Sequence, residues 1–290
     1  MAHHTLKNGY SQLVERLNRF PQGAPPSEAL YGILKILFGE REAQLVSLLP
    51  IKPFTAKKAA RAWKMPVAEA QKVLEELAGR AILIDIEQNG EMEYVLPPPM
   101  AGFFEFSLMR VRGDIDQKAL SELFYQYLNV EEDFVRELFT RGETQLGRAF
   151  VHEPVLSNEN ALHVLDYERA SEVIKTATHR GIGVCYCRHK MAHMGRACDA
   201  PMDICMTFNT SAASLIRHGF ARPVSVEEGL DLLVAGLQDS IETPLGALLG
   251  DRRLRDLPGA DRLDEMDFDL RLGDAQQPAS DAELGALIEA

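Results

Sequence analysis

The chain has 290 residues, 46% hydrophobic and 26% charged, enough to bury the core of one or two ordinary domains. A formal charge of −12, from 31 Lys+Arg against 43 Asp+Glu, argues against broad attraction to nucleic acid or anionic lipid, and four cysteines cannot staple a chain of this length with disulfides. No stretch approaches the roughly 18 apolar residues of a transmembrane helix, and the first twenty residues lack an apolar signal region, so no membrane insertion is expected and the expected compartment is the cytoplasm.

The fold class expected from the elements is mostly α with a small β-hairpin, an α+β arrangement. Residues 1–26 contribute an N-terminal helix. From 27 to 97 the pattern is four helices and a hairpin. Leu30, Ile33, Leu34, Ile36 and Leu37 make one apolar face; Leu45, Val46, Leu48 and Leu49 make a second. Thr55 is the expected cap of a third helix running through Ala59, Ala60 and Trp63. Pro66 suits the first turn of a fourth, which carries Val67, Ala70, Val73, Leu74 and Leu77. The period then changes to two: Ile82–Ile86 and Met92–Leu96 read as strands around an Asn89-Gly90 turn.

This is the element order of a winged helix. Its fourth helix would read DNA through Arg, Lys, Asn or Gln, yet here Gln71, Lys72 and Arg80 are mixed with Glu69, Glu75 and Glu76. The denser basic run, Lys57, Lys58, Arg61 and Lys64, lies on the helix before it. A structural or protein-contact role is favoured over DNA.

Residues 98–160 read as a helical connection. Phe103, Phe104 and Phe106 are expected to pack the seam between two lobes, Leu120–Leu128 and Phe134–Phe139 to be short helices, and 155–165 a linking stretch. A helix from Tyr167 to Thr178 is expected to close on Gly181, followed by an extended Ile182-Gly183-Val184. Asp199-Ala200-Pro201 reads as a further helix start, with Cys205 inside that helix. Ser211–Arg217 reads as helix with Gly219 as its stop, and Ser225 with Glu228 as a capping box for a helix through Leu233. Residues 239–290, with 13 acidic and 5 basic side chains and no lysine, read as an acidic tail without fixed structure, apart from a short helix begun by Ser280 and Glu283.

The chemistry concentrates between 161 and 238. Cys185, Cys187, Cys198 and Cys205 fall within 21 residues, spaced C-x-C-x10-C-x6-C. Four thiolates in one place repel one another, and a cation or cluster that accepts all four resolves the repulsion. Zinc and an iron–sulfur cluster both use four cysteines. Structural zinc knuckles usually separate their ligands by two to four residues, so the single residue between Cys185 and Cys187 suits a bulkier 4Fe–4S cluster, with zinc as the alternative. In an extended segment the two thiolates would share one side.

Arg188, His189, Lys190, His193 and Arg196 surround the cysteines in sequence and read equally as a shell that stabilises the negative charge of a thiolate-ligated cluster or as a solvated basic loop. His189 and His193 are alternative ligands, but four thiols suffice. No glycine-rich nucleotide fingerprint, Walker loop, nucleophile elbow or H-E-x-x-H motif appears, and no organic substrate is indicated.

The segment GVCYCRHKMAHMGRACDAPMDICMTF, from Gly183 to Phe208, resembles a family of bacterial 4Fe–4S ferredoxin-type proteins. The likeness includes VLDYERASEVIKTA before it and SLIRHGFARPVSVEEGLDLL after it, and extends upstream through PPPMAGFFEFSLMR and the winged-helix-like region to cover nearly everything up to about Gln238. It implies iron–sulfur binding by Cys185, Cys187, Cys198 and Cys205, with electron transfer to or from a redox partner protein. The chain would then be an electron carrier or a reductase subunit rather than a stand-alone enzyme. Family members typically continue into a cysteine-rich ferredoxin module. No cysteine follows Cys205 here, so either one cluster is held or the acidic ending is not the family's own. The alternative reading is a winged-helix DNA-binding regulator with a structural zinc or redox-sensing metal site.

Overall fold

The computed structural model describes residues 8–20, 22–140, 167–242, 244–246 and 250–253, and the chain divides into two compact units, Met1–Asp239 and Ser240–Ala290. The first unit opens with α1 (Gly9–Leu17), α2 (Glu28–Leu37) and α3 (Glu40–Ser47). Asn8 and Ser27 cap α1 and α2 by accepting from the amides of Ser11 and Leu30, which have no partner inside the helix. Leu13, Leu17, Leu30, Ile33, Leu34 and Val46 are completely buried, because their three- and four-residue spacing puts them on the faces these helices turn inward.

The chain continues through β1 (Phe54–Thr55), α4 (Ala56–Trp63), α5 (Val67–Gly79), β2 (Ile84–Gln88) and β3 (Glu91–Val95). Asn89 and Gly90 hold φ of 52° and 76°, the pair of positive values that a tight hairpin turn demands. The strands form an antiparallel sheet in the order β1-β3-β2, with Phe54 opposite Tyr94 and Ile84 opposite Val95. Strand β1 is not foreseen from sequence, since two residues are too short to carry an alternation. Thr55 does occupy the cap position of α4, but its side chain makes no capping bond, and Pro66 precedes α5 instead of lying within it.

Beyond the hairpin, a π-helical turn (Pro99–Phe103) leads into α6 (Phe104–Ser107), α7 (Gln117–Tyr125), a second π-helical turn (Gln126–Val130) and α8 (Glu132–Thr140). Phe103, Phe104 and Phe106 are buried in the hydrophobic core. Rings run in series from Phe38 to Phe103 (6.0 Å between centroids), Phe104 (4.9 Å) and Phe124 (5.0 Å), mostly edge-on or tilted, as ring quadrupoles prefer. The linking stretch expected at 155–165 lies outside the described residues.

The later part of this unit holds more strand than the helical cluster-binding domain expected over 161–238, with Ile182-Gly183-Val184 as its one extended segment. Helix α9 (Tyr167–Thr176) is followed by β4 (Arg180–Val184), α10 (Tyr186–His193), β5 (Asp203–Phe208), α11 (Asn209–Arg217), β6 (Arg222–Pro223) and α12 (Val226–Glu242). A second antiparallel sheet, ordered β5-β4-β6, forms here, so the architecture is mixed α and β with two small three-stranded sheets. Gly181 does not close α9. It sits in β4 opposite Thr207 and Pro223, where a Cβ would press on Ala221 and Ile216 at 3.1–3.3 Å. Gly219, at φ 72°, does end α11, and the Ser225 hydroxyl accepts from the Glu228 amide at the start of α12, which runs past the expected Leu233. In the second unit β7 (Pro244–Gly246) pairs with β8 (Gly250–Arg253); the rest of the expected tail, Ser280 and Glu283 included, lies outside the described residues.

A buried polar knot joins the two sheet-bearing parts of the first unit. The Asp85 carboxylate on β2 accepts from Ser214 Oγ (2.5 Å), Arg217 NH1 (2.7 Å) and His218 Nε2 (3.0 Å) at the end of α11. Burial alone would raise the Asp85 pKa; the bonds from Ser214, Arg217 and His218 outweigh it and hold the carboxyl below its ordinary value. The stabilisation is therefore present in full above the unfolded carboxyl's pKa of about 3.9 and is lost as the pH falls through the folded value. Replacing Asp85 with Ala should cost about 1–3 kcal/mol at pH 7, because the buried Ser214 hydroxyl and the His218 ring lose their acceptor while the partly exposed Arg217 can turn to water. Urea titrations at pH 7 and pH 3 should show Asp85→Asn losing less stability on acidification than the parent; equal acid losses would contradict this assignment.

Candidate metal centre

The cysteines are held by β4, α10 and β5. Gly183 on β4 pairs with Cys205 on β5, and a bulge between Gly183 and Val184 then turns the chain outward. Only glycine fits at 183: a Cβ there would meet Met109 Cε and the Phe220 carbonyl oxygen, each at 2.7 Å. The bend delivers Cys185 to the cap position of α10, its own amide donating to the Met202 carbonyl at 2.7 Å and its carbonyl accepting from His189 N at 2.9 Å. Cys187 lies in the first turn of the helix.

Two expectations are corrected here. Cys185 and Cys187 do not share the side of an extended strand; the helix begins between them, and their sulfurs meet through its first turn, with the Cys187 thiol donating to the Cys185 sulfur. Asp199-Ala200-Pro201 starts no helix. The chain bends there and enters β5, so Cys205 is on a strand, because the long-range pairing with β4 overrides the local helix-start signal.

Cys185, Cys187 and Cys198 line one pocket of about 390 Å³ together with Arg188, Met191 and Arg196. Cys187 and Cys198 are exposed at it, while Cys185 and Cys205 are half-buried. Cys205 is not in the lining but lies within electrostatic reach of Cys185. Among the described residues, no three His, Cys, Asp or Glu side chains converge closely enough to hold a single metal ion.

The sulfurs differ in charge preference. The bond from Cys187 draws Cys185 down to about 5, against the opposing effect of burial, and the Arg188 backbone amide and guanidinium assist; the same bond pushes Cys187 far up. Arg188 Nε donates to Cys198 Sγ at 3.1 Å and, with the Ala200 amide, holds that thiol below its ordinary value. Burial first, then the neighbouring Cys185 charge, raises Cys205 to about 11.

The remaining basic residues play unlike parts. His189 is buried and its Nδ1 donates to the Leu108 carbonyl at 2.7 Å, which requires the proton on that nitrogen. Its ring lies 5.0 Å from that of His193, whose pKa burial lowers and whose Nε2 is buried with no hydrogen-bond partner among the described residues. Neither histidine lines the cysteine pocket. Arg196 does, and donates to Tyr125 Oη at 3.0 Å. Lys190 is buried and donates to Asn129 Oδ1 at 2.7 Å. Tyr125 and Asn129 escape sequence reasoning because they lie 71 and 61 residues before their partners, and only the packing of α10 on α7 brings them near.

No helix among the described residues is long and apolar enough to cross a membrane. Comparison of the chain with family models, with curated proteins and with solved structures finds no match.

Proposed function

We propose that the protein holds one 4Fe–4S cluster on Cys185, Cys187, Cys198 and Cys205 and passes single electrons to or from a partner protein. The observation that carries this reading is that three cysteines line one pocket and the fourth stands within electrostatic reach of one of them. A single zinc draws its thiolates to about 2.3 Å from one centre, whereas a cluster takes one thiolate at each of several separated irons. The donor chemistry fits: four sulfurs, two of them already favouring the thiolate, with Arg188 set against Cys198.

When bound, the cluster supplies a reversible one-electron couple. The protein's part is to hold the four thiolates, to oppose their charge with Arg188, and to leave Cys187 and Cys198 on the exposed side, where a donor or acceptor can approach. Protein isolated without oxygen should be brown and contain about four iron and four sulfide per chain, with both lost in Cys198→Ser and Cys205→Ser variants. One tightly bound zinc with neither iron nor sulfide would overturn the reading.

A second reading rests on α4. The succession α3, β1, α4, α5, β2, β3 with sheet order β1-β3-β2 supports a winged helix over residues 27–97. Lys57, Arg61 and Lys64 line a pocket of about 460 Å³ beside Met65, Pro66 and Val67, a place for a phosphate oxygen. Against it, α5 presents Glu69, Glu75 and Glu76, and its Gln71 is spent on Glu75 and Tyr94. We expect duplex DNA to bind the parent no more than about threefold tighter than Lys57→Ala/Lys58→Ala/Arg61→Ala at 50 mM salt. A tenfold or greater loss in that variant, with affinity falling steeply as salt rises, would establish the regulator instead.

A further inference from the structure

Five basic residues follow the first two cysteines, and the structure separates them. Arg188 is engaged with Cys198, Arg196 with Tyr125, and His189 with the Leu108 carbonyl. Lys190 is different. It is 5% exposed, yet among the described residues no carboxylate lies within ion-pair distance of its ammonium. Among the described residues its one hydrogen bond goes to a neutral acceptor, Asn129 Oδ1, and the Tyr186 ring is 6.0 Å away.

An ammonium has three donors and a full positive charge, and buried charges are otherwise found paired. Lys190 stands three positions after Cys187 on α10, a spacing that places two side chains on the same helical face. Asn129, from the π-helical turn after α7, fixes the ammonium from the opposite element. Burial lowers the Lys190 pKa and the nearby Cys187 sulfur opposes that, an attraction that becomes a full charge pair once Cys187 gives up its proton on binding a cluster.

We propose that Lys190 is the buried countercharge of the cluster site and sets its reduction potential by favouring the state with one more electron. This rests on the iron–sulfur reading above. Reduction delivers one electron from the donor and so adds one negative charge beside Cys187, and a fixed cation in a low-dielectric setting stabilises that state more than the oxidised one. Lys190 is a positioning residue: it acts on the couple through Cys187 and touches no reacting atom of a partner.

The test is a redox titration of anaerobically reconstituted full-length protein, with dithionite as reductant, followed by visible absorbance. Lys190→Met should lower the reduced-to-oxidised ratio at fixed potential at least tenfold, about 59 mV for a one-electron couple. Lys190→Arg should stay close to the parent, as should Lys72→Met, which removes an exposed lysine of α5. If Lys190→Met does not load, Asn129→Asp gives the second measurement, since a carboxylate there neutralises Lys190 in place and should shift the couple in the same direction. Equal potentials for Lys190→Met and Lys72→Met would overturn this role while leaving the iron–sulfur reading standing. A parent protein that takes up no iron or sulfide would overturn both.

Discussion

Mutual repulsion among cysteine sulfurs is the constraint around which the later part of the first unit is arranged. Thiols brought this close cannot all ionise unaided, and the fold meets the difficulty in several ways at once. Cys187 donates to Cys185, Arg188 donates to Cys198, burial favours the protonated form of Cys205, and Lys190 is buried three positions after Cys187 on the same helix. Each device leaves the sulfurs chemically distinct without a guest. Under the proposed reading, a bound cluster would make them alike.

Precise placement of these groups depends on packing some distance away. Gly183 allows β4 to lie against Met109 and Phe220, and the bulge that follows aims Cys185 at the start of α10. That helix rests on α7, whose neighbouring turn supplies Asn129 and whose Phe124 ends the aromatic series from Phe38. The Asp85 knot ties β2 to the end of α11, the helix that directly follows the Cys205 strand. A shift of the N-terminal sheet would therefore be felt one element away from a cysteine.

Much of the first hundred residues is legible from sequence because its signals are local. The apolar faces of α2 and α3 repeat at helical spacing, and Asn89-Gly90 permits few conformations other than a tight hairpin. Clustering of the cysteines is legible too, since thiols so close in sequence are seldom far apart in space. The second sheet is not. Asp199-Ala200-Pro201 has the composition of a helix start, and what defeats it is pairing between β4 and β5, an interaction no local window contains. Likewise nothing in the run Arg188-His189-Lys190 tells which side chain turns inward. Burial of His189 and Lys190 follows from α10 docking on elements about sixty to eighty residues earlier.

The claim at the centre of this account is that the four sulfurs share one inorganic guest capable of taking an electron. Low-temperature electron paramagnetic resonance of anaerobically purified, dithionite-reduced protein tests it most directly. The account predicts a fast-relaxing signal from an unpaired electron on an iron–sulfur centre, absent before reduction and lost in Cys198→Ser and Cys205→Ser. A reduced protein that gives no such signal, while X-ray absorption finds zinc bound to sulfur, would contradict it.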